Sequence, residues 1–396
     1  MSSLAISRSP DLLRLRNDGF ELEVRDGHLF VHSVPYLDAN KEVQKGVFCC
    51  PLTLVNPELA GPPPSHVMLF IGGFPHRFDG GKITAIDVQG VPLAISAELA
   101  ANFAFSNKPR GANNFDNYYD KVWHYTRILW NEVKAKAPCE TPLTFKTIET
   151  VDPESVFLYE DTASPRAGIG AQVAKLKPLR IAIVGLGGTG AYVLDAVAKT
   201  PVAEIHLYDD DALQQHNAFR APGVISRAIL DERLSKVDYY SQRYSELRRG
   251  IVAHNEKVTA SNIDELRAFD YVFVCVDKGD VRKLIYERLE DSGVTMIDTG
   301  MDVQMTEDGL LWGVMRVTTS EPGKRDHVAS RVSMSDLKRD NLYASNIQLV
   351  EMNAMNAMLA VMRWKRHCGF FYDRSAELNA SFNTANNKNI NSEQPT

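Results

Sequence analysis

A chain of 396 residues that is 44% apolar and 24% charged can bury more than one core and has an ordinary globular composition. Its net charge of −6 argues against a nucleic-acid-binding or anionic-membrane surface. No run approaches the ~18 apolar residues of a membrane span, and the opening MSSLAISRSPDLL lacks the apolar stretch of a signal peptide. Cys49, Cys50, Cys139, Cys275 and Cys368 are scattered with no CxxC pair, which argues against structural zinc and fits reduced thiols in a cytoplasmic protein.

Residues 1–150 read as a small α+β domain. FELEV and HLFVHSV flank Arg25-Asp26-Gly27, the pattern of a β-hairpin. Further strands are expected over Val47–Val55, which carries Cys49 and Cys50 in core positions, and over Val67–Ile71. Leu59-Ala60-Gly61-Pro62-Pro63-Pro64 is a stiff connection between them. Tyr118–Ala137 places Val122, Tyr125, Ile128, Leu129 and Val133 on one helical face and ends at Pro138.

A second domain is expected over 151–373. After a turn-rich bridge and a short helix near Ile169–Lys175, LRIAIVGLGGTG (Leu179–Gly190) runs from an apolar strand into a glycine turn, and a helix follows over Ala191–Lys199. The absence of alternation marks a strand buried on both faces of a parallel sheet. Strands are expected at Glu204–Tyr208, Ile251–Val258, Tyr271–Val276, Val294–Ile297, Met301–Met305 and Leu311–Thr318, with helices within Asp231–Arg248, Ile263–Phe269 and Asp280–Asp291. Repeated βα units define an α/β, Rossmann-like, doubly wound and mostly parallel sheet whose ligand sits at the strand C-termini. Tyr343–Trp364 reads as a long buried helix, with Met352, Met355, Met358 and Met362 as core filler, suited to a subunit contact. From 374 to 396 the chain is polar and Asn-rich and is expected to be a disordered tail.

Gly185, Gly187, Gly188 and Gly190 form GxGGxG between a strand and a helix N-terminus, where backbone N–H groups and missing side chains admit phosphates. Asp209 and Asp211 close the second strand, positioned to bond a ribose hydroxyl or to offset a helix dipole. These features alone leave ATP and NAD both open. His216, Asn217 and Arg220 follow in HNAFR, and Lys236 opens the next helix. Taken singly each base is an ordinary surface charge; together with the glycine turn, Arg220 and Lys236 suit a triphosphate. Asp277, after the strand YVFVCV, is a candidate Mg²⁺ ligand or a helix cap, with Lys278 beside it.

Taken in order, these motifs resemble the ThiF/MoeB family of adenylating enzymes, which includes the ubiquitin-activating enzymes. The family pattern of GxGGxG, then D-x-D…N-L-x-R, then a helix-borne Lys, then C-T-D-N, is matched by Gly185–Gly190, Asp209-Asp210-Asp211…Asn217-Ala218-Phe219-Arg220, Lys236 and Cys275-Val276-Asp277-Lys278. The resemblance covers about Leu179–Thr319. It implies ATP and Mg²⁺ as cofactors, Arg220 and Lys236 on the phosphates, Asp277 on the metal, and adenylation of a carboxylate. The implied acceptor is the C-terminal glycine of a ubiquitin-like protein or a peptide. The resemblance also implies a homodimer, with Arg166 the candidate to reach a partner's site. Lys278 departs from the family asparagine, the family's CxxC pairs are missing, and no Cys lies in the crossover region of roughly 319–345. The expected product is therefore the adenylate rather than a thioester, Cys368 being the nearest downstream thiol. A domain like a ubiquitin-conjugating enzyme, or a substrate clamp, at 1–150 would suit such a pathway by analogy. A NAD-dependent oxidoreductase and an ATP-binding scaffold are the competing readings.

Overall fold

The computed structural model describes residues 2–392 except 57–58, 85, 90–92, 96–98, 149–154, 160, 162, 168 and 336–346. The chain divides into two compact units, Met1–Pro153 with Tyr159–Ile169, and Glu154–Leu158 with Gly170–Thr396.

The first unit opens with helices α1 (Ser2–Arg8) and α2 (Pro10–Asp18). Strands β1 (Glu21–Arg25), β2 (His28–Leu37), β3 (Val43–Pro51), β4 (Met68–Ile71), β5 (Asp87–Gln89) and β6 (Phe103–Ser106) form a sheet ordered β1-β2-β3-β4-β6-β5. Every pairing in it is antiparallel. Asp26 and Gly27 both take positive φ, which the tight β1–β2 turn requires. Helix α3 (Tyr118–Lys136) is capped by Asn117, whose side chain accepts from the Asp120 N–H. Tyr118, Val122, Tyr125 and Leu129 bury against Phe48, Phe70 and Phe105 of the sheet. Cys49 and Cys50 are buried in β3, and burial pushes the Cys49 thiol up to about 12.

The second unit is built on β7 (Arg180–Val184), β8 (Glu204–Tyr208), β9 (Ile251–His254), β10 (Tyr271–Val274), β11 (Thr295–Met305), β12 (Leu311–Ser320), β13 (Asn379–Asn383) and β14 (Lys388–Ser392). The order is β9-β8-β7-β10-β11-β12-β13-β14. The first five strands in that order pair in parallel and the remainder antiparallel. Helices α4 (Gly188–Ala198), α5 (Lys236–Ser245), α6 (Gly279–Leu289) and α7 (Val350–His367) cover the sheet. Ile181 and Ile183 face one core with Val197, Tyr240 and Trp364. Ala182 and Val184 face another with Ile285 and Leu289. β7 is thus buried on both faces, which is why its sequence shows no alternation.

Three expectations change. The segments 294–297 and 301–305 are parts of one long strand, β11, whose outer half pairs with β12 as a hairpin arm. The polar region after 374 carries β13 and β14: the Leu378 carbonyl accepts from the Thr319 N–H, and Thr318 Oγ1 donates to Asn379 Oδ1 at 2.7 Å. Strand pairing satisfies backbone groups whatever the side-chain polarity, so a polar composition did not prevent order there. The long helix begins at Val350; 343–346 lie outside the described residues, and Met355 and Met362 are exposed rather than core filler. Among the described residues no helix is long and apolar enough to cross a membrane.

Candidate nucleotide site

At the C-terminal edge of β7 the chain turns through Gly185, with φ +90°, into the N-terminus of α4. Three of the four glycines are demanded by packing. A Cβ on Gly190 would lie 1.8 Å from the Gly185 carbonyl oxygen, and one on Gly185 would lie 2.8 Å from the Cys275 carbonyl oxygen. A Cβ on Gly188 would strike the side chain of Asn353 on α7. Gly187 differs: no atom of the described residues lies within 4 Å of its missing side chain, and the residue lines an open cavity of about 520 Å³. The turn is therefore closed toward the core and bare toward the cavity, a surface that fits phosphate.

Asp209 ties this turn to the cationic part of the site. Its Oδ2 accepts from the Leu186 N–H at 2.6 Å and its Oδ1 from the Asp211 N–H at 2.9 Å. Lys236, the first residue of α5, is held by the Ser235 cap and by packing of Val237 and Tyr240. Its buried Nζ sits 3.1 Å from Asp209 Oδ1 and 2.6 Å from Asp211 Oδ2. That bond to Lys236 holds the Asp211 carboxyl below the usual range. Arg220 reaches the same cavity with a buried Nε that has no hydrogen-bond partner among the described residues. Burial lowers its pKa, opposed by the carboxylates of Asp277 and Asp211. An arginine fork with an unused donor beside two aspartates is equipped to take an additional anion or carbonyl. Asp277 and Lys278 follow β10 and line the cavity from the other side.

The fold brings together Gly185, Gly187, Gly188, Asp209, Asp211, Arg220, Lys236, Asp277 and Lys278 on one cavity. Gly190 acts one layer behind, and two expected contacts lie elsewhere. The Asn217 side chain is buried as a cap, accepting from the Gln214 N–H at 2.8 Å. His216 is exposed and outside the lining; the partial loss of water around its ring lowers its pKa most, and the charges of Arg220 and Lys236 add to this.

The other half of the cavity was not foreseen. It is lined by Thr299, Gly300 and Arg316 of the β11–β12 arms and by Asn353 and Asn356 of α7. Arg316 and Arg282 both pair with Asp298, which is fully buried, with Arg282 Nε at 2.9 Å. Asn356 donates to the Gly300 carbonyl at 3.0 Å while its own Oδ1 is buried without a partner among the described residues. No local pattern marks these residues, because they converge only when β12 returns antiparallel and α7 crosses the sheet.

The thiols do not favour covalent catalysis. Cys275 lines the cavity, but burial pushes it up to about 12. Cys368 donates to the hydroxyl of Tyr271, at the start of β10 and so at the sheet edge opposite the glycine turn. Burial holds its thiol near 11. The Arg166 backbone lies in a short helix, Ala163–Arg166, of the first unit.

This architecture is an α/β domain of the Rossmann type, with an antiparallel extension on the sheet that carries the glycine turn. Residues 162–320 match the ThiF family, and residues 10–162 match the Domain of unknown function (DUF6791). The chain is 26% identical over 149 residues to the adenylyltransferase and sulfurtransferase UBA4 of Saccharomyces cerevisiae strain YJM789, covering 35% of this chain and 32% of that protein. The protein of the same name from strain S288c is 25% identical over the same length. The chain thus spans about a third of the length of the curated relatives it matches. Among solved structures, Escherichia coli MccB with ATP is 17% identical, covering 59% of this chain and 68% of that one at a TM-score of 0.43. PaaA is 15% identical, covering 56% and 66%, also at 0.43.

Proposed function

We propose that the second unit adenylates a carboxylate with ATP, the acceptor being the C-terminus of a ubiquitin-like protein or a peptide. The observation that carries this reading is the convergence of a bare Gly187, the α4 N-terminus, Arg220, Lys236 and Asp277 on one cavity. The ThiF family match over 162–320 supports it.

In this reading the α4 N-terminus and the Gly187 backbone hold the phosphate chain. Arg220 donates to the phosphate oxygens. Lys236 turns part of its ion pairing from Asp211 toward the leaving pyrophosphate. Asp277 would hold Mg²⁺, whose charge would offset that of the phosphates. The acceptor carboxylate enters from the Thr299–Gly300 and Asn356 side. One of its oxygens attacks the α-phosphorus, a new P–O bond forms, the bond to the β-phosphate oxygen breaks, and pyrophosphate leaves. Positioning and charge neutralisation do the chemistry, and no protein nucleophile is needed. The raised thiols of Cys275 and Cys368 support an adenylate as the released product. Phe219 and Val224, both exposed beside Arg220, suit a homodimer contact that sedimentation would test.

Pyrophosphate exchange with purified protein and candidate acceptors tests the reading. Exchange that needs both ATP and Asp277 supports it. NAD binding without ATP binding points to an oxidoreductase, and ATP binding without exchange for any acceptor points to a nucleotide-holding scaffold; either result overturns it.

A further inference from the structure

The cavity wall beside α7 holds a polar atom that the described residues leave unpaired. Asn356 lies on α7, one turn after Asn353, and is 1% exposed. Its Nδ2 donates to the Gly300 carbonyl at 3.0 Å. A carbonyl oxygen can only accept, so the amide nitrogen must face Gly300 and the amide oxygen is the end left over. Among the described residues that oxygen, Oδ1, has no donor, and Asn356 lines the cavity.

Asn353, Thr299 and Arg316, which line the same wall, are engaged. Asn353 Oδ1 accepts from Thr189 Oγ1 at 2.9 Å, and Asn353 Nδ2 donates to the Leu349 carbonyl at 2.9 Å. Thr299 Oγ1 donates to the Val274 carbonyl at 3.4 Å. Arg316 donates to Asp298 and to Thr318 Oγ1. Gly300 pairs in register with Arg316, and a Cβ on Gly300 would lie 2.6 Å from a guanidinium nitrogen, so the bare residue lets Arg316 lie across the wall. A buried acceptor without a donor costs free energy that is recovered when a ligand brings an N–H.

Asn353 marks the phosphate end of α7, because a Cβ on Gly188 would strike its amide. Side chains three residues apart on a helix are roughly 5–6 Å apart. In a peptide the nitrogen before the last Cα lies about 2.5 Å from the terminal carboxyl carbon. A hydrogen bond from that nitrogen adds about 2.9 Å. A carboxylate presented at the glycine turn therefore brings the N–H of its own residue within reach of Asn356.

We propose that Asn356 Oδ1 accepts the backbone N–H of the acceptor's last residue, which selects a peptide C-terminus over carboxylates that lack an amide there. The proposal rests on the adenylation reading and adds the substrate class to it. A carboxylic acid without that N–H leaves the buried oxygen unpaired, which is how a hydrogen-bonding site rejects an analogue. Asn356 meets the acceptor away from the bond being made, so it decides which acceptor is held and takes no part in the exchange of bonds at phosphorus.

The test uses two acylsulfamoyl adenosines, stable mimics of an acyl-adenylate, titrated calorimetrically into the full chain. One carries an N-acetylglycyl group; in the other an ester oxygen replaces its N–H. The amide mimic is expected to bind the wild type about ten- to a hundredfold more tightly than the ester. In Asn356→Leu the ratio of the two affinities should fall to about one, and a general loss of affinity in that variant cancels in the ratio. Equal binding of both mimics to the wild type, the result if a water serves Asn356, overturns the proposal without recourse to a variant. Binding of ATP but of neither mimic, or a ratio that survives in Asn356→Leu, overturns it as well. Failure of ATP and both mimics to bind is a distinct result, which removes the adenylation reading and this proposal with it.

Discussion

The Nζ of Lys236 lies 2.6 Å from Oδ2 of Asp211 and 3.1 Å from Oδ1 of Asp209, so the cation proposed for pyrophosphate is already engaged by two carboxylates. Asp211 is largely exposed while Lys236 and Asp209 are buried. The outer contact can be exchanged for a ligand; the inner one holds the glycine turn through Leu186. Lys236→Met should therefore lose both ATP affinity and stability. Stranding Asp209 places the stability loss near the ~3 kcal/mol typical of a broken buried pair. Thermal unfolding and nucleotide titration on one preparation check this.

The same pair sets a pH dependence. The folded-state pKa of Asp211 is depressed below 3.8, with Lys236 as the leading cause. Its contribution to stability is therefore present above the unfolded value and is lost as pH falls below it, through the folded value. The exposure of Asp211 keeps the effect small. Thermal scans below pH 4 should show a shallower acid loss in Lys236→Met than in the wild type.

Arg220→Ala should cost far more pyrophosphate exchange than folding stability. Among the described residues its Nε makes no hydrogen bond that the mutation would break, while its charge serves the proposed ligand. Comparing kcat/KM with the unfolding temperature separates the two, and equal losses would make Arg220 structural.

The glycines should divide. Gly190→Ala drives a methyl into the Gly185 carbonyl at 1.8 Å and should abolish folding of the second unit. Gly187→Ala meets no atom of the described residues within 4 Å and should fold, with the added methyl projecting into the cavity and weakening nucleotide affinity. Circular dichroism and ATP titration check the contrast.

Asp298→Asn should destabilise by about 3–5 kcal/mol, because it leaves Arg282 and Arg316 in a buried site without their carboxylate. Arg316→Met, which leaves the Arg282 pair intact, should cost less. The double variant should fall short of the sum of the single losses, as expected for residues in one network. Chemical denaturation of the three variants provides the measurement.

Much of this molecule is legible along the chain, and for local reasons. A strand buried on both faces must be apolar throughout, so β7 and β10 announce themselves, and a glycine whose added Cβ would lie 1.8 Å from a carbonyl oxygen admits no substitute. Arg220, Lys236 and Asp277 follow strands or open helices at one sheet edge, so their order along the chain already predicted their convergence. The tertiary structure alone decided the rest. Arg316, held by the buried Asp298, and Asn353 and Asn356 reach the cavity from elements far apart in sequence and carry no local signature. The tail strands owe their order to backbone pairing with β12, to which side-chain polarity is blind. Whether a lysine already has its counterions depends on contacts across strands and helices. Local sequence determined where the charges enter the fold, and packing decided which of them remain available to a ligand.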